Sequence, residues 1–196
     1  NQLDEKKLKE FLTKIIGFVW AYSFTNPGVN ALRTPVYAEM INIVTGKEVK
    51  FDDFKFDENT LKTIIKNFDF KNGRPITKSM LTWWAFTEKE QALPLLNTIF
   101  EIEHIFAKKR QENDKSLTNV KNLECLGNKS LLEDKVNIRA SEYRFVDKVK
   151  YYQGFSIMSN KTPSYTLDAV KNYNAKLVAH RFQAKNDSER GKLLTQ

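Results

Sequence analysis

One cysteine, two histidines, five prolines and seven glycines are all that 196 residues hold of the types that staple, ligate or bend a chain. A lone Cys125 excludes an internal disulfide and any four-cysteine zinc site. So little glycine and proline excludes a collagen-like or linker-rich architecture. No apolar run approaches the roughly 18 residues that a membrane-spanning helix needs, and no secretory signal opens the sequence. These absences predict a cytoplasmic protein with no membrane partner. The chain also begins Asn1-Gln2-Leu3 without an initiator methionine, and so reads as the C-terminal piece of something longer.

What is present is ordinary in amount and uneven in placement. Hydrophobic residues make up 41% and charged residues 29%, enough to bury a core in one large domain or two small ones. The net charge is +8. Residues 1–98 hold 14 Lys and Arg against 12 Asp and Glu, whereas residues 99–196 hold 18 against 12. The excess lies in the second half. Basic chains favour polyanions, nucleic acid first, because each neutralised phosphate releases counterions.

Periodicity predicts helices through the first half. Asp4 caps a segment in which Leu8, Phe11, Leu12, Ile15, Ile16, Val19 and Trp20 share a face. Asn26-Pro27-Gly28 breaks it. Thr34-Pro35 then opens a helix with Val36, Tyr37, Met40, Ile41 and Val44 as its apolar stripe and Gly46 beyond its end. Further helices are expected near 59–69 and from Thr77 through Trp84, with the Trp83-Trp84 pair read as core rather than as a base-stacking platform. The pattern changes at Thr98–Phe106, where alternation and β-branched residues predict a strand. Residues 107–121 read as a loop and Leu123–Leu126 as a short second strand. Ser130-Leu131-Leu132-Glu133 has the form of a capping box opening a helix that carries Asn137. Helices are expected again near 141–153 and 166–185, with His180 inside the last as a structural residue.

The second histidine, His104, stands apart. It follows Glu101-Ile102-Glu103 at the end of the predicted strand, beside the polar loop. A core has little use for such a cluster, because an unpaired buried carboxylate costs several kcal/mol. Glu103 is therefore expected to face water, a cation or a metal. Taken together, Glu103-His104-Ile105, Asn122-Leu123, Leu126-Gly127-Asn128, Leu131-Leu132 and Asn137 resemble the His-Asn-Asn form of the HNH, or ββα-metal, nuclease motif. More closely, they are similar to the C-terminal nuclease domain of GmrSD-type modification-dependent restriction proteins and of phosphorothioate-sensing defence proteins. One departure is visible: Ile105-Phe106-Ala107-Lys108 stands where that family has Ile-x-Pro-Gln.

The resemblance implies an α+β fold, mostly α-helical, with an inserted ββα-metal hairpin-helix unit. It implies a helical lead-in at 1–97, the nuclease unit at 98–153, and a C-terminal helix and tail at 154–196. It implies a DNA endonuclease that forms the effector of a bacterial restriction or anti-phage defence protein. Its partners are DNA and an N-terminal nucleotide-hydrolysing sensor domain, and homo-oligomerisation is left open. A non-catalytic DNA-binding or scaffolding domain is the alternative. Phosphodiester hydrolysis needs activated water and relief of charge at the phosphate, which one divalent ion serves as a Lewis acid. Glu103 and Asn137 are hard oxygen donors suited to Mg²⁺ or Mn²⁺, with Glu101 on the same strand face as an auxiliary ligand. His104 is the general base. By the resemblance, Asn128 holds the histidine's strand in place. Lys108, Lys109, Arg110, Lys129, Arg139, Arg144 and Lys148 are the expected phosphate contacts. Neighbours on a regular strand point apart, so the strand is expected to end or bulge at His104 for both side chains to reach one phosphate.

Overall fold

Asp4 and Asp57 show how directly local chemistry sets helix starts in this protein, whose computed structural model describes residues 4–28, 30–87 and 95–152. The Asp4 carboxylate accepts from Lys7 N at 2.8 Å to open α1 (Glu5–Thr25), and Asp57 accepts from Thr60 N at 2.7 Å to open α3 (Glu58–Asn67). Among the described residues the architecture is mixed and mostly helical, with seven helices and one two-stranded antiparallel sheet, in keeping with the α+β class. No described helix is long and apolar enough to cross a membrane. The expected helix at 166–185, His180 and the segment 154–196 lie outside the described residues.

The chain forms two compact units, Asn1–Phe68 and Asp69–Gln196. The expected lead-in of 1–97 is thus divided, with its fourth helix in the second unit. In the first unit, Phe18 stacks on Phe51 with ring centroids 3.7 Å apart, and Val49, Tyr22, Phe54 and Phe56 close around them. Between α1 and α3 runs α2 (Arg33–Val44), which starts one residue before Thr34 rather than after it. Its buried residues are Pro35 and Glu39, whereas Tyr37, Met40, Ile41 and Val44 stay exposed, contrary to the expected stripe. The reason is polar. The Glu39 carboxylate accepts from Phe51 N at 2.7 Å and Lys50 N at 3.2 Å, holding Phe51 at φ 54, and that anchor selects the buried face.

In the second unit, α4 (Pro75–Thr87) buries Leu81 and Ala85 and leaves Trp84 half exposed. Strand β1 (Phe100–His104) pairs antiparallel with β2 (Lys129–Glu133), with Ile102 opposite Leu131 and His104 opposite Lys129. Helices α6 (Asp134–Ala140) and α7 (Phe145–Tyr152) follow, and α5 (Lys108–Asp114) lies between the strands. The hairpin is covered on both faces. Ile102 and Leu131 pack on Leu81 and Ala85, while Leu132 packs on Val136 and Tyr152.

Three local expectations are overturned here. Ser130–Glu133 is strand rather than a capped helix start, because Leu131 and Leu132 must each enter a different core and only a two-residue period allows it. Leu123–Leu126 is not a strand but falls in two short 3₁₀ turns, Val120–Glu124 and Leu126–Asn128, the first capped by Asn119. The segment 107–121 holds α5, which ends at Lys115 in the left-handed conformation (φ 46), with Gln111 Oε1 accepting from Leu117 N at 2.9 Å. A third small core of Phe106, Leu117 and Leu123 sits beneath this connection.

Leu132 is 1% exposed. Its replacement by alanine is expected to destabilise the second unit by about 2–5 kcal/mol, whereas Leu8→Ala on exposed α1 surface stays within about 0.5 kcal/mol, both read by chemical denaturation.

Candidate functional site

The end of β1 sends two neighbouring side chains to different partners. Glu103, 5% exposed, accepts at Oε1 from Lys148 Nζ at 2.6 Å and from Tyr152 Oη at 2.7 Å, both on α7. Lys148 Nζ also donates to the His104 carbonyl at 2.7 Å. The Glu103 Oε2 atom takes no hydrogen bond from a described residue. His104 instead meets Lys129, its cross-strand partner, and Glu124. β1 does end at His104, as expected, but without a bulge that brings the two side chains together. The alternation of the strand persists to its last residue.

Lys129 is the centre of the His104 side. Its ammonium donates at 2.6 Å to Asn72 Oδ1 and at 2.7 Å to both His104 Nε2 and Glu124 Oε2, so its three hydrogens meet three acceptors. Asn72 is itself oriented by its Nδ2, which donates to the Ile102 carbonyl at 2.9 Å. Burial, then the charge of Lys129, pulls the His104 imidazole below its ordinary pKa of 6.5, against the opposing pull of Glu124. Burial likewise lowers the Lys129 ammonium, against Glu124. For Glu124, burial is the largest influence and pushes upward. The Lys129 hydrogen bond and charge, with His104, still bring its carboxyl below the ordinary 4.5. The cluster is a buried cation and a half-buried anion in direct contact, with the imidazole facing both.

Asn128, 1% exposed, clamps the chain just beyond His104. Its Oδ1 accepts from Phe106 N at 2.7 Å, and its Nδ2 donates to the carbonyls of Phe106 at 3.1 Å and Leu123 at 3.0 Å. Its own carbonyl accepts from Ile105 N at 2.9 Å. Asn128 thus touches backbone alone and fixes where β1 turns into the 3₁₀ connection.

An open cavity of about 350 Å³ lies beside β1, lined among others by Glu103, His104, Asn137, Glu142, Lys108 and Lys109. Asn137 reaches it from α6, half-buried, and its side-chain amide makes no hydrogen bond to a described residue. Lys108 and Lys109 are exposed at the rim. Sequence reasoning missed Glu142, whose Oε1 lies 3.3 Å from Lys109 Nζ and whose Oε2 is buried with no hydrogen-bond partner among the described residues. It also missed Glu124, Asn72 and Tyr152. No local signal marks them, because Asn72 meets Lys129 across 57 positions and Tyr152 meets Glu103 across 49.

The remaining expected site residues are placed as follows. Glu101 is exposed and is not among the residues lining the cavity. Arg110 donates from Nε to the Glu142 carbonyl at 2.9 Å and lies 3.7 Å from Asp114. Arg139 is half-buried and Arg144 exposed, and neither is among the lining residues. Lys129 and Lys148 depart from the expectation of surface phosphate contacts. Their side chains are 0% exposed, because each ammonium is held within the fold by a carboxylate. Among the described residues no group of three or more His, Cys, Asp and Glu side chains is gathered as a metal would need. Glu103 and Asn137 together supply two oxygen donors.

Asn128→Ala removes three buried hydrogen bonds at once and is expected to cost about 2–3 kcal/mol in urea unfolding. The titration of the His104 side gives a second expectation. A histidine lowered by folding binds its proton more readily in the unfolded chain, so stability falls as pH drops below 6.5. Glu124, lowered from 4.5, adds stability above that value that is lost at more acid pH. Urea midpoints measured across this range should decline throughout, and His104→Gln should flatten the upper part of the decline.

Family models, curated proteins and solved structures give no match to this chain, so its function is argued from the chemistry of these residues.

Proposed function

We propose that the second unit is an HNH-type, metal-dependent DNA endonuclease, the effector of a bacterial restriction or anti-phage defence protein that works with a nucleotide-hydrolysing sensor domain. The observation that carries this reading is the order strand, strand, helix. β1 and α6 bring Glu103 and Asn137 to one open cavity, whose lining also includes His104, with its ring turned toward Lys129, and Lys108 and Lys109 stand at its rim.

The donor set fits a hard divalent cation such as Mg²⁺ or Mn²⁺. Glu103 has one carboxylate oxygen free of hydrogen bonds to described residues, and the Asn137 amide is likewise uncommitted. These two residues would hold the ion, which when bound supplies Lewis-acid stabilisation of charge at the phosphate. Lys148 and Tyr152 take the other Glu103 oxygen and fix the carboxylate's direction. The lowered pKa of His104 keeps its imidazole neutral near pH 7, and only a neutral imidazole can receive a proton from water. Asn128 sets the backbone on which His104 sits. Lys108 and Lys109, exposed at the rim, are positioned to neutralise the backbone phosphates of a duplex.

One observation favours the alternative, a DNA-binding domain that keeps the hairpin-helix shape without catalysis. Lys148 already neutralises Glu103, and Lys129 already engages the His104 ring. A plasmid-relaxation assay with Mg²⁺ or Mn²⁺ separates the two readings. The endonuclease nicks supercoiled DNA, and His104→Ala lowers the rate by about 10²–10⁴ while leaving DNA binding intact. A protein that binds plasmid but leaves it supercoiled under both ions is the non-catalytic domain. Lys108→Ala and Lys109→Ala should each weaken binding at all sequences and reduce the salt slope by about 1.

A further inference from the structure

We propose that Lys129 is a latch on His104: its ammonium occupies the only lone pair of the neutral imidazole at Nε2, places the ring proton on Nδ1, and so holds the histidine in a resting tautomer that cannot act as a base. The tautomer follows from geometry alone. Its consequence for turnover rests on the endonuclease reading above.

An ammonium has three hydrogens and no acceptor. At 2.7 Å from Lys129 Nζ, His104 Nε2 is therefore the acceptor. A neutral imidazole carries one hydrogen and one lone pair, so with Nε2 accepting, the hydrogen is on Nδ1. In that state Nε2 is engaged and Nδ1 is already protonated, and neither nitrogen can take a proton from water. The other two ammonium hydrogens are directed to Asn72 Oδ1 at 2.6 Å and Glu124 Oε2 at 2.7 Å. Every hydrogen of the cation has an acceptor, and its side chain is 0% exposed, so bulk water does not compete for it.

A lysine paired only with Glu124 would be an ordinary buried ion pair. Here the same carboxylate oxygen also stands 3.4 Å from His104 Nε2. When Lys129 withdraws, Glu124 is the acceptor left facing that nitrogen. The ring then takes a proton from solvent at Nε2, keeps it there in a hydrogen bond to the Glu124 carboxylate, and gives up the Nδ1 proton to solvent. No net proton is gained or lost, and Nδ1 now presents a lone pair. The cross-strand pairing of His104 with Lys129 makes this arrangement a property of the hairpin register. Licensing of cleavage would then consist of moving one side chain, with the backbone unchanged.

The full chain labelled with ¹⁵N-histidine tests this, since the sequence has two histidines and His104→Gln identifies the signal of His104. Long-range ¹H–¹⁵N correlation above the histidine titration should show wild-type His104 as the Nδ1–H tautomer. Lys129→Met should convert it to Nε2–H, whereas Lys129→Arg, which keeps a cationic donor, should retain Nδ1–H. An Nε2–H tautomer in the wild type, or no change in Lys129→Met, overturns the latch. The wild-type and arginine spectra decide the matter even if the methionine variant does not fold. In plasmid relaxation, Lys129→Met should nick on the order of tenfold faster than wild type, as the competent population rises. Slower nicking by a folded variant with a switched tautomer overturns the latch. A switched tautomer with no nicking by either protein overturns the endonuclease reading and leaves the latch supported.

Discussion

The two-residue alternation of β1 governs everything around the site. Because Glu103 and His104 are consecutive on a paired strand, their side chains leave on opposite faces, and each face is closed by a different element of the fold. One face belongs to α4, Asn72 and Glu124, and the other to α6 and α7. The hairpin is thereby pinned in register from both sides, since a slip of one residue would exchange Leu131 with Leu132 and His104 with Glu103. Glu103 and His104, neighbours in sequence, become two separate polar sites that share a backbone.

Each polar site is neutralised by a lysine whose side chain is inaccessible to solvent. Removing water from an ion pair costs nearly as much as the attraction returns, so such pairs contribute little net stability. Deleting one partner, however, leaves a buried charge at a cost of about 3–5 kcal/mol. Their effect here is geometric. Lys148 ties Glu103 to the His104 carbonyl and so joins α7 to the end of β1, while Lys129 ties β2 to the segment before α4 and to the 3₁₀ turn at Glu124. Glu103 and His104 are thus held by donors that are themselves buried, which favours a rigid arrangement over a mobile one.

Much of the fold was legible in order, less in type. Asp4 and Asp57 cap helices as local chemistry dictates, and the alternation at 98–106 holds the strand Phe100–His104. Ser130–Glu133 misled because its capping-box spelling is worth about 1 kcal/mol, whereas burying two leucines on two different cores is worth several. The α2 stripe misled in the same way, with a single buried carboxylate at Glu39 outweighing five apolar side chains in choosing the face. Of the expected site residues, Glu103, His104 and Asn137 are among those lining one cavity, with the His104 ring turned to the other strand face, toward Lys129 and Glu124.

By itself the sequence determined the helices with strong caps, the strand that carries Glu103 and His104, the concentration of basic charge in the second half, and the short list of side chains able to do chemistry. Only the tertiary structure decided which of them meet. Lys129 and Lys148 look in sequence like any surface lysine beside a basic loop. Burial at the end of a doubly covered hairpin makes one a donor to a histidine and the other the counterion of a glutamate. Asn72, Glu124, Glu142 and Tyr152 complete the site from positions that no local pattern marks. The physical reason is range: caps and periods act over three or four residues, whereas desolvation, which forces every buried charge to find a partner, acts across the whole fold.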